Sequence, residues 1–189
     1  AGRVTCAELT ELYIRRIERH DRALNAVPVR DFDRARHQAR AADQAAARGE
    51  LTSLLGLPIT LKESINVVGL ATTVGVPEWA GPASKWDAPA TARLRTAGAV
   101  LLGKTNVPPL LADWQSTNPV YGRTVNPWDP ARTPGGSSGG SASALAAGLS
   151  ALEVGSDIGG SIRVPAAFCG VYGHRPSETL LPRSGQFPI

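Results

Sequence analysis

Methionine is absent from these 189 residues, cysteine occurs twice and aromatic residues make up only 5%. Each scarcity excludes something. Cys6 and Cys169 lie far apart and in no metal-ligand spacing. Neither a structural zinc site nor a disulfide framework is therefore available. Both read as buried free thiols, which suits the reducing cytoplasm. No apolar run approaches the ~20 residues of a membrane-spanning helix. Ala1-Gly2-Arg3-Val4 carries no signal-peptide pattern. With no methionine even at position 1, and a stop at Gln186-Phe187-Pro188-Ile189, the chain reads as a piece of a longer protein.

What is present is globular. Hydrophobic residues make up 42%, and the length supports one sizeable domain with its own core. The formal charge of +4 could suggest a nucleic-acid partner. Its carriers argue against that: Arg15, Arg16, Arg19, Arg22, Arg34, Arg36 and Arg40 alternate with Glu8, Glu11, Glu18, Asp21, Asp31, Asp33 and Asp43. Mixed signs on helical segments are solvated faces, not a phosphate-binding stripe. Neither nucleic acid nor membrane is expected as a partner.

Thr5-Cys6-Ala7-Glu8 is a capping box, and Leu9, Leu12, Tyr13 and Ile17 follow at helical spacing, which predicts a helix from Cys6 to His20. Phe32 to Arg48 predicts a second helix, alanine-rich on one face and stopped by Gly49. Buried strands are expected over Leu54–Leu61, Ala99–Gly103 and Ala151–Val154, and helices over Ala90–Ala97, Gly139–Leu149 and Ser161–Phe168. Helices alternating with short apolar strands predict an α/β fold, a mixed β-sheet flanked by helices.

Two glycine-rich segments present serines: Thr133-Pro134-Gly135-Gly136-Ser137-Ser138-Gly139-Gly140-Ser141 and Gly155-Ser156-Asp157-Ile158-Gly159-Gly160-Ser161-Ile162-Arg163. Only three lysines occur, and one of them, Lys62, closes the apolar run Leu57–Leu61. A phosphate-binding P-loop needs a lysine directly after its last glycine, and no lysine follows Lys104. A dinucleotide fingerprint fails because neither segment contains G-x-G-x-x-G. Gly135–Gly139 does match the G-x-S-x-G nucleophile elbow, but that turn must follow a strand. Three prolines between Asn126 and Pro134 forbid a central strand there. Two serines and a lysine remain, as nucleophile, proton relay and base for acyl transfer.

These residues resemble the amidase signature family. Lys62, the Gly-Gly-Ser-Ser-Gly-Gly loop and Asp157-Ile158-Gly159-Gly160-Ser161-Ile162-Arg163 carry the likeness, at intervals of 24 from Ser137 to Ser161 and 99 from Lys62 to Ser161. Gly103-Lys104-Thr105-Asn106, Asn126-Pro127-Trp128-Asp129 and Pro165-Ala166-Ala167-Phe168-Cys169-Gly170 match further family strings. The resemblance implies an amidase-signature fold, truncated at both ends, with residues 1–189 the N-terminal part of a single domain. It implies hydrolysis of a carboxamide C–N bond through a serine acyl-enzyme, with a small-molecule amide as substrate and no cofactor or metal. A homodimer of the full-length protein stays open.

By the same resemblance Ser161 is the nucleophile, and Ser137, after a cis peptide, relays a proton to the base Lys62. The N–H groups of Ile158, Gly159, Gly160 and Ser161 form an oxyanion hole, and Ser138 supports Lys62 by hydrogen bonding. Elementary chemistry agrees with the assignment. A serine hydroxyl needs a base, and a lysine is a base only when neutral, which at pH 7 costs about 4.6 kcal/mol from its ordinary pKa. Burial can lower a lysine far enough to meet that cost. Taken singly, Lys62 reads as a surface lysine, Ser137 and Ser138 as loop residues and Ser161 as a helix cap; the joint pattern overrides these readings. Lys104 reads as structural, Asp157 as shaping its loop and Arg163 as its ion-pair partner. His20 and His37 fall on solvated helix faces, and nothing nearby orients His174.

Two rivals remain at this level. One is an amidotransferase A-type subunit that releases ammonia from glutamine. Lys62-Glu63-Ser64, Asp157-Ile158-Gly159-Gly160-Ser161 and Gly173-His174-Arg175-Pro176-Ser177 depart from that subunit's usual Lys-Asp-Asn, Asp-Thr-Gly-Gly-Ser and Gly-Leu-Lys-Pro-Thr, and so favour a stand-alone amidase. The other is a truncated, non-catalytic remnant.

Overall fold

The computed structural model describes residues 4–187. The capping box forms: Thr5 Oγ1 accepts from the Glu8 amide (3.1 Å) and the Glu8 carboxylate accepts from the Thr5 amide (2.8 Å). The helix α1 it starts, Cys6–Leu24, runs a turn beyond the sequence expectation and stops where Asn25 turns left-handed. Asp21 explains the extension. Its buried carboxylate accepts from the Ala26 and Val27 amides (2.7 and 3.1 Å), so the chain beyond the helix is satisfied from inside it.

A short strand β1 (Val29–Arg30) leads into α2 (Phe32–Ala47), which buries Ala35, Ala39 and Ala42 along one stripe. Small alanine side chains let α2 lie close to the sheet and to α1. Strand β2 is Pro58–Lys62, helix α3 Pro89–Thr96 and strand β3 Val100–Thr105. β2 starts later than expected because Leu54–Leu57 turn at Gly56, whose φ is +74°. Lys62 is thus the last residue of the strand and lies inside it.

The expected irregular region after Asn106 includes a small hairpin, β4 (Thr117–Asn118) and β5 (Gly122–Arg123). Helix α4 is Gly139–Ala146, β6 is Glu153–Val154 and α5 is Arg163–Cys169. The main sheet has the order β1-β3-β2-β6, with β2 parallel to both neighbours and β1 antiparallel to β3. It is a mixed sheet with helices on both faces. Ile14 and Ile17 of α1, Ala35 and Ala39 of α2 and Ala144 of α4 pack with Val100 and Leu102 on one face. Ile59, Leu61 and Leu101 pack with Leu94 of α3 on the other.

One irregularity decides where the lysines go. The β2–β3 register shifts between Ile59, opposite Leu101, and Thr60, opposite Gly103. The extra residue reverses the alternation of β3 from that point. Thr105 therefore pairs with Lys62 on the α4 face, while Lys104 pairs with Leu61 and reaches Ala71 O and Thr72 Oγ1 (2.6 and 3.0 Å). Gly140 brings α4 against the end of β3: its amide donates to Asn106 O (3.2 Å). A Cβ at Gly140 would collide with the Asn106 main chain and the Ala26 carbonyl.

Both cysteines are free, and Cys169 is buried. Cys6 is only partly covered, a correction to the expectation, because it opens α1 and shows one side to solvent. Among the described residues no helix is long and apolar enough to cross a membrane.

Candidate active site

Three elements converge at the carboxyl end of β2. The strand delivers Lys62, which is fully buried. The loop before α4 delivers Ser137 and Ser138, and the Gly136–Ser137 peptide is cis. The loop after β6 delivers Ser156 to Ser161. Lys62 Nζ donates to Ser137 Oγ (2.7 Å), Ser156 Oγ (3.0 Å) and Ser156 O (3.3 Å). Burial lowers the Lys62 amine from 10.5 to about 7, against a smaller upward pull from Asp157. An amine with that value is half neutral at pH 7, so the Lys62–Ser137 pair can pass a proton in either direction.

Ser161 is brought alongside through the main chain. The Ser138 amide donates to Ser161 O (3.1 Å), tying the two glycine-rich loops together. The Ser161 side chain is partly exposed and, among the described residues, its hydroxyl has no hydrogen-bond partner. Ser137 and Ser138 are 1% and 3% exposed. Of the three serines, Ser161 is the one open to an incoming molecule.

Ser138 differs from its expected role. Its hydroxyl donates to Ser156 O (3.4 Å) and not to Lys62. The residue that holds Lys62 from the second loop is Ser156. It stands in the motif Gly155-Ser156-Asp157, but no spacing rule says that its hydroxyl turns back to β2, so it escaped the sequence reading.

The four expected oxyanion donors also divide. Gly160 N–H is committed to Asp157 Oδ1 (2.7 Å). The Ile158, Gly159 and Ser161 amides have no protein acceptor among the described residues. Three free amides in one loop can receive a developing oxyanion.

Asp157 builds this loop. Its side chain is inaccessible to solvent. Besides Gly160 it accepts from the Ile162 and Arg163 amides (3.0 and 3.2 Å) and from the Arg163 guanidinium (2.9 Å). Burial alone would raise its carboxyl. The Arg163 guanidinium and these amides outweigh burial and hold it well below the usual carboxylate range. Gly160 has a φ of +110°, and a Cβ there would press on Val164 (2.9 Å). Asp157→Ala frees Gly160 N–H and loosens the loop. In the full-length protein it is expected to slow acylation of Ser161 by roughly 10²-fold, because the loosened loop no longer holds the Ile158, Gly159 and Ser161 amides in alignment. An unchanged acylation rate would show that the loop holds its shape without this carboxylate.

A groove of about 830 Å³ runs along the outer side of β6, lined by Leu145, Leu152, Ile162, Val171 and Leu180 among others. Ser138 lines it, but Lys62, Ser137 and Ser161 do not. His20, His37 and His174 are exposed and outside the cluster.

A family model described as amidase matches residues 8–189. AmiB2 of Mycobacterium tuberculosis is 48% identical over 187 residues, which is 97% of this chain and 40% of that protein. Fatty-acid amide hydrolase 2 of Homo sapiens is 39% identical over 195 residues, 99% of this chain and 37% of that one. The native peptide amidase from Stenotrophomonas maltophilia superposes with a TM-score of 0.94 at 37% identity, over 100% of this chain and 40% of that one. The chain thus spans about 40% of the length of the relatives it matches.

Proposed function

This chain belongs to the amidase family, and we propose that it carries the nucleophile, relay and base of an enzyme that hydrolyses a carboxamide C–N bond. The observation that carries this reading is the buried 2.7 Å hydrogen bond between Lys62 Nζ and Ser137 Oγ. In the cycle Ser161 Oγ attacks the amide carbonyl carbon. Its proton passes to Ser137 as the Ser137 proton passes to neutral Lys62. The carbonyl oxygen becomes an oxyanion held by the free amides of Ile158, Gly159 and Ser161. Collapse breaks the C–N bond, and the proton returns through Ser137 to the leaving nitrogen, which departs as ammonia or amine. A water molecule then attacks the acyl ester by the same relay and releases the carboxylate.

The substrate in this reading is a small open-chain amide, and the compartment is the cytoplasm, in keeping with two free cysteines. Residues 1–189 are the N-terminal part of a single amidase-signature domain, inactive when isolated. Two observations support this: the length ratio to the relatives, and the groove beside β6, the last strand on its side of the sheet.

The test is the rate at which a fluorophosphonate acylates Ser161 in the full-length protein between pH 5 and 9. Protonated Lys62 cannot accept a proton. The rate is therefore expected to rise as pH passes through about 7 and to level off above it. A flat profile, or one that falls with pH, would sink the Lys62 base. An ammonia-releasing member of an amidotransferase complex would instead transfer ammonia from glutamine only with its partners present, which assays of free and partnered protein separate.

A further inference from the structure

A second polar layer lies one step below the Lys62–Ser137 pair, on the same face of the sheet. Thr60, two residues before Lys62 in β2, stands opposite Glu153 of β6. The Thr60 hydroxyl donates to Glu153 Oε1, and Thr105 Oγ1, whose own proton goes to Leu61 O (3.2 Å), lies 3.4 Å from Glu153 Oε2, where it can accept the proton of a neutral Glu153. Thr105 Oγ1 also shares a 2.8 Å hydrogen bond with Ser141 Oγ. Ser141 follows Ser137 by four residues and sits in the first turn of α4. Thr60 and Thr105 are fully buried and Ser141 is 5% exposed. The amide-cleavage cycle uses none of these four side chains.

The neighbours of Glu153 are hydroxyls, and no salt bridge among the described residues includes it. Glu153 is partly exposed where β6 borders the groove, but its carboxyl is turned to the hydroxyls of the buried Thr60 and Thr105 with no cation beside it among the described residues, a setting that favours the protonated form. Burial pushes Glu153 up to about 8, with smaller opposing pulls from the Ser141 and Thr105 hydroxyls. Lys62 is the titratable group that β2 presents on this face. Lys104 of β3 pairs with Leu61 and reaches Ala71 and Thr72, and α4 has no titratable side chain. His174 lines the same groove as Glu153, and the Asp157 carboxylate, beyond β6, is turned to Arg163.

We propose that Glu153 is a positioning residue: as a neutral acid it pins β2, β3 and the first turn of α4 together, and so sets how Ser137 meets Lys62. The catalytic consequence rests on the amidase reading; the anchoring does not.

The test compares full-length wild type with Glu153→Gln, which keeps the hydrogen bonds, and Glu153→Leu, which does not. Hydrogen exchange of residues 138–143, followed by mass spectrometry, reads the anchoring. Glu153→Leu is expected to exchange at least about tenfold faster than wild type, and Glu153→Gln at the wild-type rate. Thermal midpoints from pH 5 to 9 read the proton. An unfolded Glu ionises near 4.5, and the folded one holds its proton to about 8. Wild type should therefore lose stability relative to Glu153→Gln as pH rises through that window, and run parallel to it outside. Lys62 and Lys104 pull the other way only above about 7 and about 8; both occur in both proteins and cancel in the difference. Acylation of Ser161 should slow about 10²-fold in Glu153→Leu and stay within about threefold of wild type in Glu153→Gln.

Wild-type exchange rates in Glu153→Leu, a pH-independent midpoint difference, or equal slowing of acylation by Leu and Gln would each overturn the proposal. A wild-type protein that takes no label at Ser161 would overturn the amidase reading, while exchange and midpoints still decide the anchoring.

Discussion

Ser161→Ala in the full-length protein is expected to abolish labelling by a fluorophosphonate and to lower amide turnover by on the order of 10⁶-fold, the scale of removing a nucleophile. Accessibility is the reason. Ser137 and Ser138 are buried at 1% and 3% exposure, and both hydroxyls are engaged, Ser137 with Lys62 and Ser138 with Ser156. Ser161 is partly exposed and closes the segment in which, among the described residues, the Ile158, Gly159 and Ser161 amides have no protein acceptor. Mass-spectrometric mapping of the probe decides the matter. Label on Ser137 in the variant, or undiminished turnover, would reassign the nucleophile. Loss of label with the wild-type protein labelled would also dispose of the reading as a non-catalytic remnant.

The second large effect is at Lys62. Lys62→Met should slow acylation by about 10²–10⁴-fold, the usual contribution of a general base. Lys104→Met is the control, and the structure makes it a demanding one. Both lysines are fully buried, and burial lowers Lys104 to about 8, with Glu63 pulling it up. Their partners differ. Lys62 meets the hydroxyls of Ser137 and Ser156, whereas Lys104 ties down Ala71 and Thr72 beside a loop whose Thr73 and Val74 amides donate to Glu63 (2.6 and 2.9 Å).

Lys104→Met should therefore lower the melting temperature and leave the acylation rate of the folded protein near wild type. Lys62→Met should do the reverse. The folded Lys62 binds its proton less tightly than the unfolded one, so wild-type stability is held down below about 7 and recovers as pH rises toward 10.5. Removing the amine relieves that cost at neutral pH, a trade of stability for function. Equal, small effects of both changes on acylation would end the Ser–Ser–Lys scheme.

The sequence by itself determined the local elements and the kinds of chemistry available. The capping box, the alanine stripe of α2 and the apolar run before Lys62 are short-range patterns, and helix and strand periodicity follow from neighbouring residues alone. The two glycine-rich segments likewise announced serine chemistry, and their wording carried the family likeness. What the linear order could not contain is direction. Ser156 bonds to Lys62 across 94 positions, and that meeting depends on β6 lying parallel beside β2.

The extra residue in β3 sends Lys104 and Thr105 to different partners, a consequence of register that hydrophobic alternation read one residue at a time does not reveal. Gly160 lost its expected place among the oxyanion donors because its amide points to Asp157, and backbone amides look alike in any sequence. In the sequence Glu153 is simply one position inside the strand expected over Ala151–Val154. Only the fold sets its carboxyl against the hydroxyls of Thr60 and Thr105 with no cation beside it among the described residues, and a group's charge state is set by what surrounds it in three dimensions.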